Sequence, residues 1–482
     1  MSFQKLYNKT VLVSGATGMI GSQVIRRLLE IDGVKVIGLF RNEEKKDFLF
    51  PENNPNLSWV KCDIGEKLSI QGEIDYIVHT AGVTGGSKKH VDFPMTTINT
   101  AINGTINMLE LAKEKKSQGF VYLSSLEVYG KTDLGDSFIK ETDGGYIDIT
   151  SVRSSYSESK RMCETICAAY CKQFDVPAKI VRLAPTYGKG ASYADNRVLC
   201  EFARCAIEKK DIVLKSTGET VRNYCDVDDA ADAILTVLTD GVNGEAYNIA
   251  NMDIEVSIKQ LAERVVSLYP ESGIQLKCDL AEDITKLGYN QTIKIRLDSS
   301  KLMQLGWTPQ NGLDQMIKNV VDAMKNAKDS MRKELIMKKY KVGYTVGTFD
   351  MFHIGHLNLF KHAKEYCDYL IVAVHTDEWV MHCKNRATVI NYEDRAAIVA
   401  GCRYVDEVVP NATRSKMEAW EKYHFDVAFI GDDWKGTEVW NKIEAELKTV
   451  GCDTIYIPQT QGISTTDIRK KLGDKTDKTE AK

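Results

Sequence analysis

Short apolar strings punctuated by glycine set the rhythm of the N-terminal part of the chain. From Lys9 to about Gly130, the segments TVLVSG, KVIGLF, IDYIVHTAG and GFVYLSS have the near-continuous apolar character of strands buried on both faces. Between them, SQVIRRLLEI and TINMLELAKEK place apolar residues at helical spacing. The alternation predicts a doubly wound α/β fold of the Rossmann type, with a parallel sheet over residues 9–183. From about 184 to 325 helices and short strands alternate less regularly, as in a small substrate lobe closing a domain 1–325. The polar stretch NAKDSMRKELIMKK, 326–339, reads as a linker, floppy or a helical spacer. At Tyr340 a second α/β series begins, with YKVGYTVG, YLIVAVHT, DEVVP, DVAFIGD and TIYIP as strands of a domain 340–472. The charged tail 473–482 lacks the apolar residues to order it.

Composition narrows the function. At 482 residues the chain is too long for one ordinary core. A net charge of −4 gives no basis for nucleic-acid or membrane partners, which leaves small-molecule substrates. The N-terminus has no signal-peptide pattern and the twelve cysteines no CxxC pair, so a cytoplasmic location with reduced thiols is expected. Cys163, Cys167 and Cys171 share one helical face, where small buried hydrophobes are a better account than a metal stripe.

Two sets of residues carry chemistry in the first domain. Gly15, Gly18 and Gly21 space a GxxGxxG between a strand and a helix, where a pyrophosphate meets free backbone N–H groups. Arg41 ends the next strand, in the position where NAD binders often keep a carboxylate, and tilts the expectation towards NADP over NAD. Asp63 is placed either to touch an adenine edge or to cap a turn. Further on, Tyr156 and Lys160 share a helix face, where an ammonium is expected to lower the phenol pKa and make it a base. Ser125, at a strand end, could bond the same substrate oxygen.

Together with HTAG, RLAPTYG, VRNYCDVDDAADAI and RLDSSKLMQLGWTP, these motifs resemble the extended short-chain dehydrogenase/reductase family over residues 9–325. The resemblance implies Ser125, Tyr156 and Lys160 as the catalytic set, nucleotide-linked sugars as substrates, and Arg222 on the substrate phosphates, a surface ion pair being its alternative. The family's sugar dehydratases carry Asp-Glu after the catalytic Ser or Thr. Here Leu126-Glu127 follows, which disfavours dehydration. Glu127 matches the glutamate of nucleotide-sugar decarboxylases, while epimerisation and simple reduction stay open.

The second domain opens with GTFDMFHIGH. His353 and His356 lie one turn apart where a helix starts, and Gly355 leaves room for a ligand against the backbone. The two imidazoles and the helix N-terminus suit negative charge developing on a phosphate under in-line attack. No third ligand at local spacing supports zinc.

HxGH resembles the nucleotidyltransferase superfamily of that name, and RYVDEVVP, FIGDDWKG and GISTTDIRK extend the likeness to cytidylyltransferases of the glycerol-3-phosphate type. The resemblance implies CTP as substrate, Mg2+, and transfer of CMP to an alcohol phosphate, with His353 and His356 at the α-phosphorus. It places Thr348, Phe349 and Asp350 at the nucleotide. It gives Arg403 and Lys384 to phosphates, Arg386 to the acceptor, Asp432 with Asp433 to the nucleoside, and Ser464 and Thr465 to phosphates. Gln459 replaces the family's arginine in QTQGIST, for which Lys435 or Arg469 would have to compensate. The expected protein is a bifunctional enzyme and a homodimer, feeding teichoic acid or another surface polysaccharide. The alternatives are a non-catalytic NAD(P)-binding regulatory domain, or ATP in place of CTP.

Overall fold

The computed structural model describes residues 3–82, 87–132, 134–135, 137–280, 294–337, 340–458, 460 and 468–469. The side chains of 87–89 and 330–337 are not part of that description. Gln459, Ser464, Thr465 and the tail 473–482 lie outside the described residues. The chain divides into two compact units, Met1–Lys328 and Asp329–Lys482. The helix Leu313–Met337 runs through most of the stretch read as a linker, so 326–337 is helical.

In the first unit, β1 (Thr10–Ser14), β2 (Lys35–Phe40), β3 (Leu57–Lys61), β4 (Tyr76–His79), β5 (Gly119–Ser125) and β6 (Ala178–Leu183) join β10 (Ala246–Ile249) in one parallel sheet. Its order is β10-β6-β5-β4-β1-β2-β3. The chain therefore winds outward from β1 and returns beside it at β4, and the crevice at that switch point is where such sheets take nucleotides. The strands inside the edge strand β3 bury both faces. Val11 and Val13 join the core under the helices Met19–Leu29 and Val227–Asp240, while Leu12 joins the core under Pro94–Lys115 and Ser155–Phe174. Cys163 and Cys167 are fully buried in that second core as apolar filling. The remaining strands β7 (Thr186–Tyr187), β8 (Ile212–Leu214), β9 (Val221–Asp226), β11 (Asn251–Ser257), β12 (Leu276–Cys278) and β13 (Lys294–Ile295) build two small sheets of the lobe.

The second unit is a five-stranded parallel sheet of β14 (Tyr340–Gly347), β15 (Cys367–His375), β16 (Glu407–Asn411), β17 (Val427–Gly431) and β18 (Asp453–Ile457). The order β16-β15-β14-β17-β18 puts its switch point between β14 and β17. Helix starts gather at the carboxyl edge of the sheet: Ile354–Tyr366 after β14, Asp377–Lys384 after β15 and Lys416–Tyr423 after β16. No helix of the described residues is long and apolar enough to cross a membrane.

Candidate functional sites

In the first unit the glycine turn closes β1 against β4. Gly15 has a φ of +66°, and a Cβ there would lie 2.6 Å from Thr80 Oγ1 and 2.8 Å from Ala81 N. A Cβ on Gly21 would lie 2.3 Å from the Gly15 carbonyl oxygen, so the helix Met19–Leu29 can start this close to the turn only with glycine there. Gly18 is the N-cap and donates its N–H to the Gly15 carbonyl at 2.8 Å. Beside the turn, a Cβ on Gly82 would meet only Lys160 Nζ among the described residues, at 3.7 Å. Among the described residues, Gly15, Ala81 and Gly82 thus line a path of small residues from the glycine turn towards Lys160, which fits an extended dinucleotide. Under this path Ser14 Oγ and Nδ1 of the buried His79 are 2.7 Å apart.

Asp63 caps a turn, one of the two roles expected for it. One carboxylate oxygen accepts the Gly65 N–H at 2.8 Å, capping a turn, and the other faces Arg41 at 3.6 Å.

Ser125, Glu127, Tyr156 and Lys160 come together. Ser125 ends β5 and N-caps the short turn Leu126–Tyr129, which carries Glu127. The helix Ser155–Phe174 begins one residue before Tyr156 and presents Lys160 below it. Lys160 is buried, donates to the Leu123 carbonyl at 2.6 Å, and holds its ammonium 5.9 Å from the centre of the Tyr156 ring. The expected drop in the phenol pKa is not found. Burial pushes Tyr156 up to about 12, the Glu127 carboxylate adds to the rise, and the Ser125 hydroxyl offsets only part of it. Burial also pushes Lys160 down to about 8, so desolvation outweighs the attraction that helical spacing suggests.

Glu127 is itself held. Arg153 donates to both of its carboxylate oxygens at 2.9 Å, and Ser157 donates at 3.2 Å. On the other side of the phenol, the buried His90 stacks on Tyr156 with ring centres 4.5 Å apart. Neither Arg153 nor His90 carries a motif that would have marked it. Arg222 sits on β9 with its Nε buried and without a hydrogen-bond partner, and among the described residues it makes no ion pair. The surface salt bridge that competed with a phosphate role is therefore absent there.

In the second unit His353 is the N-cap of the helix Ile354–Tyr366. The Gly355 N–H donates to His353 Nδ1 at 3.1 Å, which leaves the ring proton on Nε2. Gly355 does not open space for a ligand as expected. A Cβ there would lie 2.9 Å from the His353 ring, so the glycine makes room for the imidazole itself. The rings of His353 and His356 stack at 3.9 Å, and Phe349 and Phe352 pack on His356. Burial lowers the pKa of His353 and, with the neighbouring ring, drops that of His356 to about 3. Both rings are neutral hydrogen-bonding groups at neutral pH.

A cavity of about 200 Å³ beside them is lined by residues including Thr348, Phe349, Asp350, His356, Lys384 and Arg386. Phe349 and Met351 take left-handed backbone conformations, with φ of +50° and +48°, to turn the chain from β14 into this site. Asp350 is an anchor. Its carboxylate accepts the Val389 and Ile390 N–H groups at 3.0 Å and Arg469 at 2.8 Å, and these bonds hold it below the usual carboxylate range. Arg469, also on the cavity wall, is thereby committed to Asp350. Lys435 lies over the Tyr456 ring instead. Asp432 and Asp433 are exposed just after β17, at the carboxyl edge but off the cavity wall.

Arg403 does not join this site. It is exposed in the turn before β16, at the amino edge of the sheet, whereas the histidines follow the carboxyl end of β14. The site instead contains an arginine that no motif marked. Arg395 is fully buried and donates to the Thr348 carbonyl at 2.5 Å, to the Ile390 carbonyl at 2.9 Å and to Asp377 at 2.5 Å. Among the described residues no group of three metal-ligating side chains converges.

Two parallel sheets, each with a phosphate-suited turn at its switch point, define a pair of nucleotide-handling domains. Residues 11–250 match the NAD dependent epimerase/dehydratase family, and residues 344–471 match the Cytidylyltransferase-like family. The chain belongs to the NAD dependent epimerase/dehydratase family and carries a cytidylyltransferase-like domain after it. It is similar to UDP-glucuronic acid decarboxylase 4 of Arabidopsis thaliana, with 30% identity over 64% of this chain and 68% of that protein. UDP-glucuronic acid decarboxylase 1 of Xenopus tropicalis is 28% identical over 65% of this chain and 71% of its own length. Among solved structures, the Bordetella bronchiseptica enzyme WbmF in complex with NAD+ aligns with a TM-score of 0.56 at 22% identity, over 68% of this chain and 96% of that one. UDP-glucose 4-epimerase of Thermotoga maritima aligns with a TM-score of 0.56 at 22% identity, over 68% and 99%. These structural likenesses describe the fold of the first unit.

Proposed function

We propose that the chain is a bifunctional enzyme whose second unit transfers CMP from CTP to a polyol or sugar phosphate, releasing pyrophosphate. The observation that carries this is that His356, a neutral ring stacked on the neutral ring of His353, lines a cavity that also presents Lys384 and Arg386. The phosphate oxygen of the acceptor would attack the α-phosphorus of CTP, and the bond to pyrophosphate would break. The Nε2–H of His353 would donate to the oxygens that gain charge, and the two cations would neutralise the leaving group. Asp350 is already saturated by its bonds, so Mg2+ would come with the triphosphate as part of the substrate. Support for cytidine comes from the family match and from RYVDEVVP and GISTT.

The first unit would act on a nucleotide-linked sugar. NAD held along the glycine path supplies a hydride acceptor when bound. Tyr156 Oη would take or return the proton of the sugar hydroxyl, with Ser125 hydrogen-bonding the same oxygen. Lys160 would stabilise charge on the phenol from below. Decarboxylation is the favoured outcome, because Glu127 stands beside the phenol where dehydratases keep Asp-Glu, and because the curated relatives are UDP-glucuronic acid decarboxylases. Incubation with NAD and UDP-glucuronic acid tests this by carbon dioxide release. Isomerised product would indicate epimerisation, and net NADH oxidation by a keto compound would indicate reduction. Fusion would raise the concentration of one unit's product at the other. A cytoplasmic homodimer supplying surface polymers is the setting that suits such products.

A further inference from the structure

In the second unit His375 and Lys416 lie off the nucleotide cavity, close to Lys384 of its wall. His375 ends β15, and its Nδ1 is 3.2 Å from Thr348 Oγ1. Lys384 Nζ donates to that same hydroxyl at 3.2 Å. The Thr348 proton is therefore directed to Nδ1 of His375, and the ring proton sits on Nε2, away from Thr348. His375 pairs in register with Asn411 at the end of β16, and five residues later Lys416 opens the helix Lys416–Tyr423. Lys416 thus stands at the same carboxyl edge. It is half-buried, makes no ion pair among the described residues, and lies 5.9 Å from the centre of the Trp440 ring.

The electrostatics around His375 are one-sided. Burial, then Lys384, Lys416 and Arg395, all work against its protonation and take its pKa down to about 4. Burial lowers Lys416 to about 8. Arg395 is matched by Asp377, but Lys384 and Lys416 have no carboxylate within ion-pair distance among the described residues. The half-buried Lys416 ammonium without a counter-charge and the Nε2–H donor of His375, with the exposed Lys384 nearby, suit a bound anion.

We propose that His375 and Lys416, beside Thr348 but off the wall of the nucleotide cavity, form the subsite for the phosphate of the acceptor. This rests on the transferase activity proposed above. The cavity that takes the triphosphate is lined by Thr348, Lys384 and Arg386 but by neither His375 nor Lys416. A second anion therefore has its own donors, with Lys384 shared between the two through Thr348. The cluster supplies cationic contact in a chain whose GIST-preceding arginine is replaced by Gln459. The acceptor would then be selected as a phosphate ester, with its polyol part left to other contacts.

Steady-state kinetics of the full chain with CTP and glycerol 3-phosphate or ribitol 5-phosphate test this. Lys416→Met and His375→Asn should each raise KM for the alcohol phosphate about tenfold or more, with KM for CTP changed by less than about twofold. Lys416→Arg should recover most of the loss. Calorimetric titration of CTP into Lys416→Met should match wild type, which also shows that the variant is folded. A rise in KM for CTP instead would assign the cluster to the γ-phosphate and overturn the proposal, as would unchanged KM values for both substrates. Absence of wild-type turnover with every alcohol phosphate would remove the transferase activity itself; turnover that Lys416→Met leaves untouched would remove only this subsite.

Discussion

The imidazole rings of His353 and His356 stack with their centres 3.9 Å apart and their planes inclined by 23°. Stacked protonated rings would repel, and burial keeps both neutral. His356→Ala removes one ring and the packing partner of Phe349 and Phe352. It should lower kcat for pyrophosphate release by about 10²–10³-fold, as expected for losing one preorganised donor. Binding of CTP, measured separately by calorimetry, should weaken far less.

Tyr156 and Glu127 support a second expectation. Because the phenol is held up at about 12, turnover of the first unit should rise with pH through the alkaline range. Tyr156→Phe should cut that turnover by about 10²–10⁴-fold while NADH binding, followed by fluorescence, persists. A regulatory domain would instead show no turnover to lose and unchanged transferase activity. Glu127→Gln removes a charge that raises the phenol, so it should shift the alkaline limb of the pH profile to lower pH as well as changing the rate.

Much of the fold was legible because it rests on local patterns. KVIGLF, GFVYLSS and YKVGYTVG form strands over the residues read for them, since each is an apolar run ending at glycine, serine or a turn. LSWVK was not read as a strand, because polar residues interrupt it at the sheet's edge. The helix read over TINMLELAKEK starts eleven residues earlier, at Pro94, where PMTTINTAING hides its periodicity among threonine, asparagine and glycine. The site was legible only where a motif is local. Tyr156 and Lys160 share a helix, but the direction of the phenol shift depends on burial that spacing does not report. Arg403 reads as a phosphate fork in sequence, yet the strand direction puts it at the opposite edge. Arg395 and His375 acquire their roles from contacts made across the sheet.

Gly21 and the Gly15 carbonyl give a test of the dinucleotide turn. Gly21→Ala places a methyl 2.3 Å from that oxygen, which must move together with the turn. NAD affinity should fall at least about tenfold, and overpacking should cost about 1–3 kcal/mol of stability in the first unit. Transferase activity, measured in the same preparation, should be retained.

Acid stability follows from the buried histidines. Burial takes His79 from 6.5 down to about 3, so the native state resists a proton that the unfolded chain binds. Its contribution is complete above about pH 6.5 and is lost as pH falls towards 3, at about 1.4 kcal/mol per unit. Asp226 has the opposite sign. Burial raises it to about 6, so its cost is present at neutral pH and is relieved as pH falls through 6. Thermal melts between pH 7 and pH 5 should show His79→Gln flattening the acid decline and Asp226→Asn steepening it.

The central claim is CMP transfer by the second unit, and CTP-dependent pyrophosphate release tests it most directly. Wild-type protein should release pyrophosphate from CTP in the presence of glycerol 3-phosphate, ribitol 5-phosphate or a sugar 1-phosphate, and far more slowly from ATP. His356→Ala should abolish most of that release. No release with any acceptor, or equal release from ATP, would contradict the account.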